Sequence, residues 1–183
     1  MKEAEFRKLL ALADGWQIWA FTPGTLAALQ SGPSPGYHAL ALKRAADRGI
    51  LVRAARGIYV NPLARSLPAD PRPGLVPFLR PRDFNYLSLE AALSQSGAIA
   101  QGATALTCMT TGSSGQFDTP WGRIELVHTD RPVTMESGIV FERGRLAEAT
   151  PARAWSDLKR VGRNVDLVDP DFMHASATAG AGR

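Results

Sequence analysis

Six prolines within one short stretch divide this chain. Pro62, Pro68, Pro71, Pro73, Pro77 and Pro81 all lie between Asn61 and Arg82. Proline fixes φ and carries no N–H, so such a run suits neither a central strand nor a helix interior. The stretch reads as an extended connector over residues 63–82. It separates an N-terminal domain over residues 1–62 from a second domain over residues 83–174. Residues 175–183 are mostly Ala and Gly without periodicity and read as a flexible tail. With 183 residues, 45% apolar and 21% charged, the chain has enough apolar surface for a real core. That composition excludes a disordered chain.

One cysteine, Cys108, excludes an intrachain disulfide and a Cys-based zinc site. Acids at Glu3 and Glu5 stand where a secretory signal needs a basic start. No apolar run reaches the roughly 18 residues of a membrane span. A soluble cytoplasmic protein without a membrane partner is the expectation. Charge is uneven along the chain. Residues 1–66 hold nine Lys/Arg against four Asp/Glu, whereas residues 67–183 hold twelve against thirteen. The basic excess of the first third suits an anionic partner there.

Local signals predict helix, short strand, two helices and a hairpin for the first domain. Phe6, Leu9, Leu10 and Leu12 recur at helical spacing up to Asp14-Gly15. Residues 16–21 are aromatic and β-branched and read as a strand. Thr22-Pro23 is a cap followed by proline at the first helical position, and Ser34-Pro35 repeats that device. The second of these helices runs to about Arg48 and ends at Gly49. Residues 50–53 and 58–60 then flank Ala54-Ala55-Arg56-Gly57, a hairpin with glycine in its turn. Helix, tight turn, helix and hairpin together make a winged helix-turn-helix.

The second of the paired helices has the form of a recognition helix. Tyr37, Ala41, Arg44 and Arg48 share one face, flanked by His38 and Lys43. Ala39, Leu42, Ala45 and Ala46 are read as the packing side. Ser34 is read as the cap of a helix N-terminus that can hold a phosphate. The hairpin adds Arg53 and Arg56, which can reach a phosphate or a minor groove. The predicted DNA-binding residues are therefore Ser34, Tyr37, His38, Lys43, Arg44, Arg48, Arg53 and Arg56.

The second domain reads as mixed α+β. A helix is expected over residues 87–97 with Ser88 as its cap. Strands are expected over residues 103–110, from Phe117, over residues 123–129 and over residues 138–142. A last helix follows Thr150-Pro151 and buries Ala154, Trp155, Leu158 and Val161. Its chemistry is thin. The loop Gly112-Ser113-Ser114-Gly115 lacks the Lys-Ser/Thr ending of a P-loop and reads as a hairpin loop. Asp166, Asp169 and Asp171 flank Pro170 and read as a solvated turn rather than a cation site. His128 has no acid or nucleophile at a telling spacing, and Cys108 reads as a buried thiol. No catalytic residue, metal site or cofactor is expected, and the chain is not read as an enzyme.

Several motifs together resemble the AbiEi family of antitoxins. They are Arg56-Gly57-Ile58-Tyr59-Val60-Asn61-Pro62, Tyr86-Leu87-Ser88-Leu89-Glu90-Ala91-Ala92-Leu93 and Met109-Thr110-Thr111-Gly112. Phe117-Asp118-Thr119-Pro120-Trp121-Gly122, Ile124-Glu125 and Ala149-Thr150-Pro151-Ala152-Arg153-Ala154-Trp155-Ser156-Asp157-Leu158 complete the set. The similarity spans roughly residues 16–172. It implies a type IV toxin–antitoxin, or abortive-infection, system. In such a system the N-terminal winged helix binds inverted repeats in promoter DNA and represses its own operon. The C-terminal domain counteracts a nucleotidyltransferase-like toxin, with no need for a stable complex. The resemblance assigns DNA contacts to Tyr37, Lys43, Arg44, Arg48, Arg53 and Arg56. Inverted repeats imply two copies on DNA, as a dimer or as cooperating monomers.

Two other functions compete. A ligand-responsive regulator without antitoxin activity requires a concave apolar pocket with a few polar groups in the second domain. A nuclease or phosphotransferase requires Asp166, Asp169 and His128 to converge in space.

Overall fold

A computed structural model describes residues 2–34, 36–100, 102–134 and 136–169. The chain is an α+β protein that divides into two compact units, Met1–Pro71 and Arg72–Arg183.

Unit 1 combines three helices with a three-stranded antiparallel sheet. Helix α1 (Glu3–Gly15) turns Phe6, Leu10 and Ala13 inward, at the spacing of one helical face. Strand β1 (Ala20–Phe21) is shorter than the stretch read from sequence. Trp16, Gln17 and Ile18 donate back to Ala13 and Asp14 carbonyls at 2.9–3.0 Å, so the helix end consumes residues that look strand-like by composition. Helix α2 (Pro23–Leu29) is capped as expected, with Thr22 Oγ1 accepting from Thr25 N at 3.1 Å. Helix α3 (Tyr37–Asp47) and strands β2 (Val52–Ala55) and β3 (Ile58–Val60) follow. The sheet order is β1-β3-β2. Ala55 pairs with Ile58 across a two-residue turn, Arg56-Gly57. Gly57 sits at φ +74°, the left-handed region that favours glycine. The core joins Phe6 and Leu10 of α1 to Leu26, Leu42, Phe21, Leu51 and Tyr59.

The proline-rich stretch is not one extended connector. Residues 61–66 fold back onto α1, where the Asp14 carboxylate accepts the Arg65 and Ser66 N–H groups at 2.9 Å and Ser66 Oγ at 2.5 Å. These donors, the Ser66 hydroxyl foremost, hold the Asp14 carboxyl below the usual carboxylate range. Arg72–Leu79 is a helix, α4, belonging to unit 2. Pro73 stands in its first turn, where an N–H would lack a helical partner anyway. Pro77 faces solvent, while Leu75 and Val76 are buried. Burial of those two side chains overrides the local preference against proline.

Unit 2 is built on a six-stranded mixed sheet of order β6-β7-β5-β4-β9-β8. The strands are β4 (Asn85–Leu87), β5 (Ala105–Thr110), β6 (Gly115–Thr119), β7 (Gly122–His128), β8 (Ile139–Val140) and β9 (Ala147–Ala149). Pairs β5–β7 and β4–β9 are parallel and the other neighbours are antiparallel. Strand β9 was not foreseen. Helix α5 (Leu89–Gln95) begins two residues later than expected, because residues 85–87 pair with β5. Ser88 holds the cap position, but its hydroxyl donates to Asp157 rather than capping the helix. Helix α6 (Pro151–Val161) is capped by Thr150 and closed by Gly162 at φ +75°.

A buried polar cluster joins α6 to the sheet. Asp157 is wholly buried and accepts from Tyr86 Oη and Ser88 Oγ, each at 3.0 Å. Arg153, one turn earlier, places Nε 3.1 Å from both Asp157 oxygens and donates Nη2 to Tyr86 Oη at 2.8 Å. Arg131 adds Nη1 at 3.1 Å to Asp157 Oδ1. Burial first, then the neighbouring Asp157 charge, pushes the Tyr86 phenol from 10.0 to about 12. The folded state therefore retains the phenol proton where the unfolded chain loses it. Its stabilisation is complete below pH 10 and is lost as pH rises through about 12. Tyr86→Phe should cost roughly 1–3 kcal/mol at neutral pH by leaving Arg153 and Asp157 short of a partner. In urea titrations the gap between wild type and variant should shrink across that alkaline window. A gap independent of pH contradicts the assignment.

Candidate nucleic-acid interface

Helix α3 sets the geometry of the candidate site. Leu42 and Ala45 point into the core and Ala41 and Ala46 pack beside them. That leaves Lys43, Arg44 and Arg48 exposed and Tyr37 half-buried. The aliphatic stem of an arginine can lie along apolar surface while its head stays in water. Arg44 and Arg48 line a shallow cup of about 90 Å³ between α1 and α3 together with Glu3, Phe6, Leu40 and Ile50. Neither guanidinium has an ion pair among the described residues. Lys43 is different, because its Nζ lies 2.8 Å from Asp47 Oδ2 one turn on.

The hairpin carries two more exposed arginines. Arg53 lies on β2 and its Nε approaches its own Ala55 carbonyl at 3.4 Å. Arg56 occupies the turn next to Gly57 and is free of partners among the described residues. Four residues, 48–51, separate α3 from β2, so the helix stripe and the hairpin belong to one short segment.

Three sequence expectations change. His38 is 7% exposed, with Nε2 2.8 Å from the Gln30 carbonyl. It locks the α2–α3 connection from inside, so it drops out of the DNA-binding set. The reason is its phase: His38, Leu42 and Ala45 form the buried stripe, and a histidine there closes the carbonyl left at the end of α2. Ser34 does not cap α3. The helix starts at Tyr37 after Gly36, and the Ser34 carbonyl accepts the Tyr37 N–H at 3.1 Å in a preceding turn. Pro35 lies outside the described residues. Ala39 is exposed rather than packed.

The tight α2–α3 connection also explains Gly32. A Cβ there would lie 2.5 Å from Tyr37 Cδ1 and 2.8 Å from His38 Cε1.

In unit 2, the Gly112-to-Gly115 loop is not a hairpin loop, since β7 lies between β5 and β6. His128, exposed, ties it down: its backbone N–H donates to Ser114 Oγ and its Nδ1 lies 2.8 Å from the Gly112 carbonyl. Cys108 is wholly buried, which pushes its thiol far up. Among the described residues, no three His, Cys, Asp or Glu side chains converge on a cation site. Asp171 lies outside the described residues.

Unit 2 holds an ion cluster that sequence reading missed. Arg163 donates to both Glu90 oxygens at 3.0 and 3.2 Å and to both Glu125 oxygens at 2.6 and 3.0 Å. Asn164 Nδ2 adds a bond to Glu90 at 2.8 Å. This cluster lines a cleft of about 280 Å³ with Ile99, Thr104 and Leu167. Its members lie up to 74 residues apart, a separation without a periodic signature. Arg153 and Asp157 stand four apart on α6, a spacing at which side chains meet, as do Glu3 and Arg7 on α1 and Lys43 and Asp47 on α3.

Comparison of the chain with protein-family models, curated proteins and solved structures returned no match.

Gly32→Ala and His38→Ala should each destabilise unit 1 by roughly 1–3 kcal/mol, through overpacking in the first case and a lost buried bond in the second. Thermal or urea unfolding reads the loss. DNA affinity of the folded His38→Ala protein should stay at the wild-type level, whereas a specific loss returns His38 to the interface.

Proposed function

We propose that unit 1 is a winged helix-turn-helix that binds double-stranded DNA. Helices α2 and α3 form the helix-turn-helix, α3 enters the major groove, and the β2–β3 hairpin is the wing. One observation carries this reading: Arg44, Arg48 and Arg56 stand exposed in one segment, without an ion pair among the described residues. In unit 2 the exposed Arg123, Arg145 and Arg160 lie against Asp118, Glu142 and Asp130. Exposed Arg82 and Arg143 have no ion pair among the described residues, so what sets unit 1 apart is that its three stand within one short segment. An unpaired, solvated guanidinium is ready to replace the counterions of a phosphate. Tyr37 and Lys43 extend the stripe, and Arg53 supports the wing.

With the motif resemblance, the protein is a repressor of its own promoter and the antitoxin of a type IV toxin–antitoxin system. Its DNA target is an inverted repeat, and its unit 2 opposes a nucleotidyltransferase-like toxin.

A gel-shift titration on the upstream promoter tests the first half. If about five cations engage phosphates, log K should fall with log salt at a slope of roughly −4 to −5. Arg44→Ala combined with Arg56→Ala should weaken binding about 100-fold and flatten the slope by roughly 2. Unchanged binding in that variant removes the site assignment. For the second half, a nucleotidyltransferase encoded beside this gene should arrest growth, and co-expression of this chain should relieve the arrest. Persistent arrest despite soluble expression removes the antitoxin role.

A further inference from the structure

Unit 2 carries a ladder of aromatic rings that climbs from its core to its surface. Tyr86 on β4 is wholly buried, and the half-buried Phe84 ring lies 5.9 Å from it at 32°. The Phe141 ring follows, 5.8 Å from Phe84 at 42°. Phe141 stands directly after edge strand β8 and is 54% exposed. The two ends of the ladder differ. At the inner end the Arg153 guanidinium sits 5.5 Å from the Tyr86 ring centroid. At the outer end no further ring and no cation covers Phe141 among the described residues. The middle rung is fixed in place: the Phe84 N–H donates to Thr111 Oγ1 at 2.9 Å, and the Phe84 carbonyl accepts the Thr111 N–H at 3.0 Å.

Two exposed arginines flank the outer rungs. Arg82 stands two residues before Phe84, and Arg143 stands two residues after Phe141. Two residues of chain span at most about 7 Å, so both stems start beside the ladder. Neither arginine has an ion pair among the described residues. The acids next to them are engaged elsewhere. Glu142 pairs with Arg145 at 2.8 Å. The Asp83 carboxylate lies against Gly112, where a Cβ would collide with it.

An open ring face suits another flat π-system, and solvated guanidinium groups suit phosphate oxygens. A single-stranded nucleic acid offers both in every nucleotide, because its base faces are free and its backbone is charged. A duplex hides its base faces, and an apolar protein partner leaves the two arginines unused. We propose that unit 2 binds single-stranded nucleic acid, with a base stacked on Phe141 as the next rung and the flanking phosphates held by Arg82 and Arg143. None of these residues belongs to the proposed duplex site of unit 1.

Fluorescence anisotropy of a labelled oligothymidylate of about ten nucleotides reads the binding. The full chain carrying Arg44→Ala and Arg56→Ala serves as the parent, so failure of the duplex reading leaves this test intact. The parent should bind the strand at micromolar concentrations, and the same strand paired into a duplex should compete poorly. Phe141→Ala and Phe141→Leu should each weaken binding about ten-fold or more, whereas Phe141→Trp should keep it, since only an aromatic ring stacks on a base. Arg82→Ala with Arg143→Ala should flatten the slope of log K against log salt by roughly 1.4, the value for two phosphates of a single strand. Oligouridylate should depend on Phe141 in the same way, because a ring face reads no sugar. Urea unfolding should be alike throughout, because the replaced side chains are exposed. A chain that binds no single strand overturns the proposal, including one that binds a foreign protein through Phe141. So does an affinity indifferent to Phe141→Ala or Phe141→Leu, or a duplex that competes equally.

Discussion

The wholly buried Asp157 carboxylate is the constraint around which unit 2 is arranged. An isolated charge in that position costs several kcal/mol, so it persists only where partners surround it. Arg153 supplies the charge from one turn back on α6. Tyr86 and Ser88 supply hydroxyls from β4 and the start of α5, and Arg131 reaches in from the loop after β7. The same Arg153 donates to the Ser137 carbonyl just before β8. One carboxylate thereby sets where α6 lies against the middle and the far edge of the sheet. Apolar packing alone is non-directional and would leave that helix free to slide.

Unit 1 uses its charges in the opposite way. Its core is apolar, and its buried histidine serves a backbone carbonyl rather than a charge. Asp14 is engaged chiefly by backbone and hydroxyl donors, with the Arg65 charge a lesser contribution. Arg44, Arg48 and Arg56 make no ion pair among the described residues. Surface ion pairs add little to stability, so leaving them unmade costs the fold little. Unpaired guanidinium groups instead keep a positive field at the surface.

Local chemistry was legible. The Thr22 and Thr150 caps, the prolines that follow them, and the left-handed glycines at Gly57 and Gly162 stand where their residue types place them. Each acts within about four residues, which is the reach of a backbone hydrogen bond in a turn or cap. The same reach explains the failures. Ser34 looks like a cap, yet the chain makes one more turn before α3. Residues 16–18 look like strand, yet they close α1. Pro77 argues against a helix, yet two buried neighbours hold one.

By itself, then, the sequence determined much of the alternation of helix and strand and the basic character of its first third. Tertiary structure alone decided which of those residues are usable. Whether His38 faces solvent or core depends on a helix phase that only the contact with α2 sets. Whether an arginine is free depends on acids that lie far away in sequence, as Glu90 and Glu125 do for Arg163. Electrostatic partners are chosen by distance in space, and a linear pattern of residues carries no record of that distance.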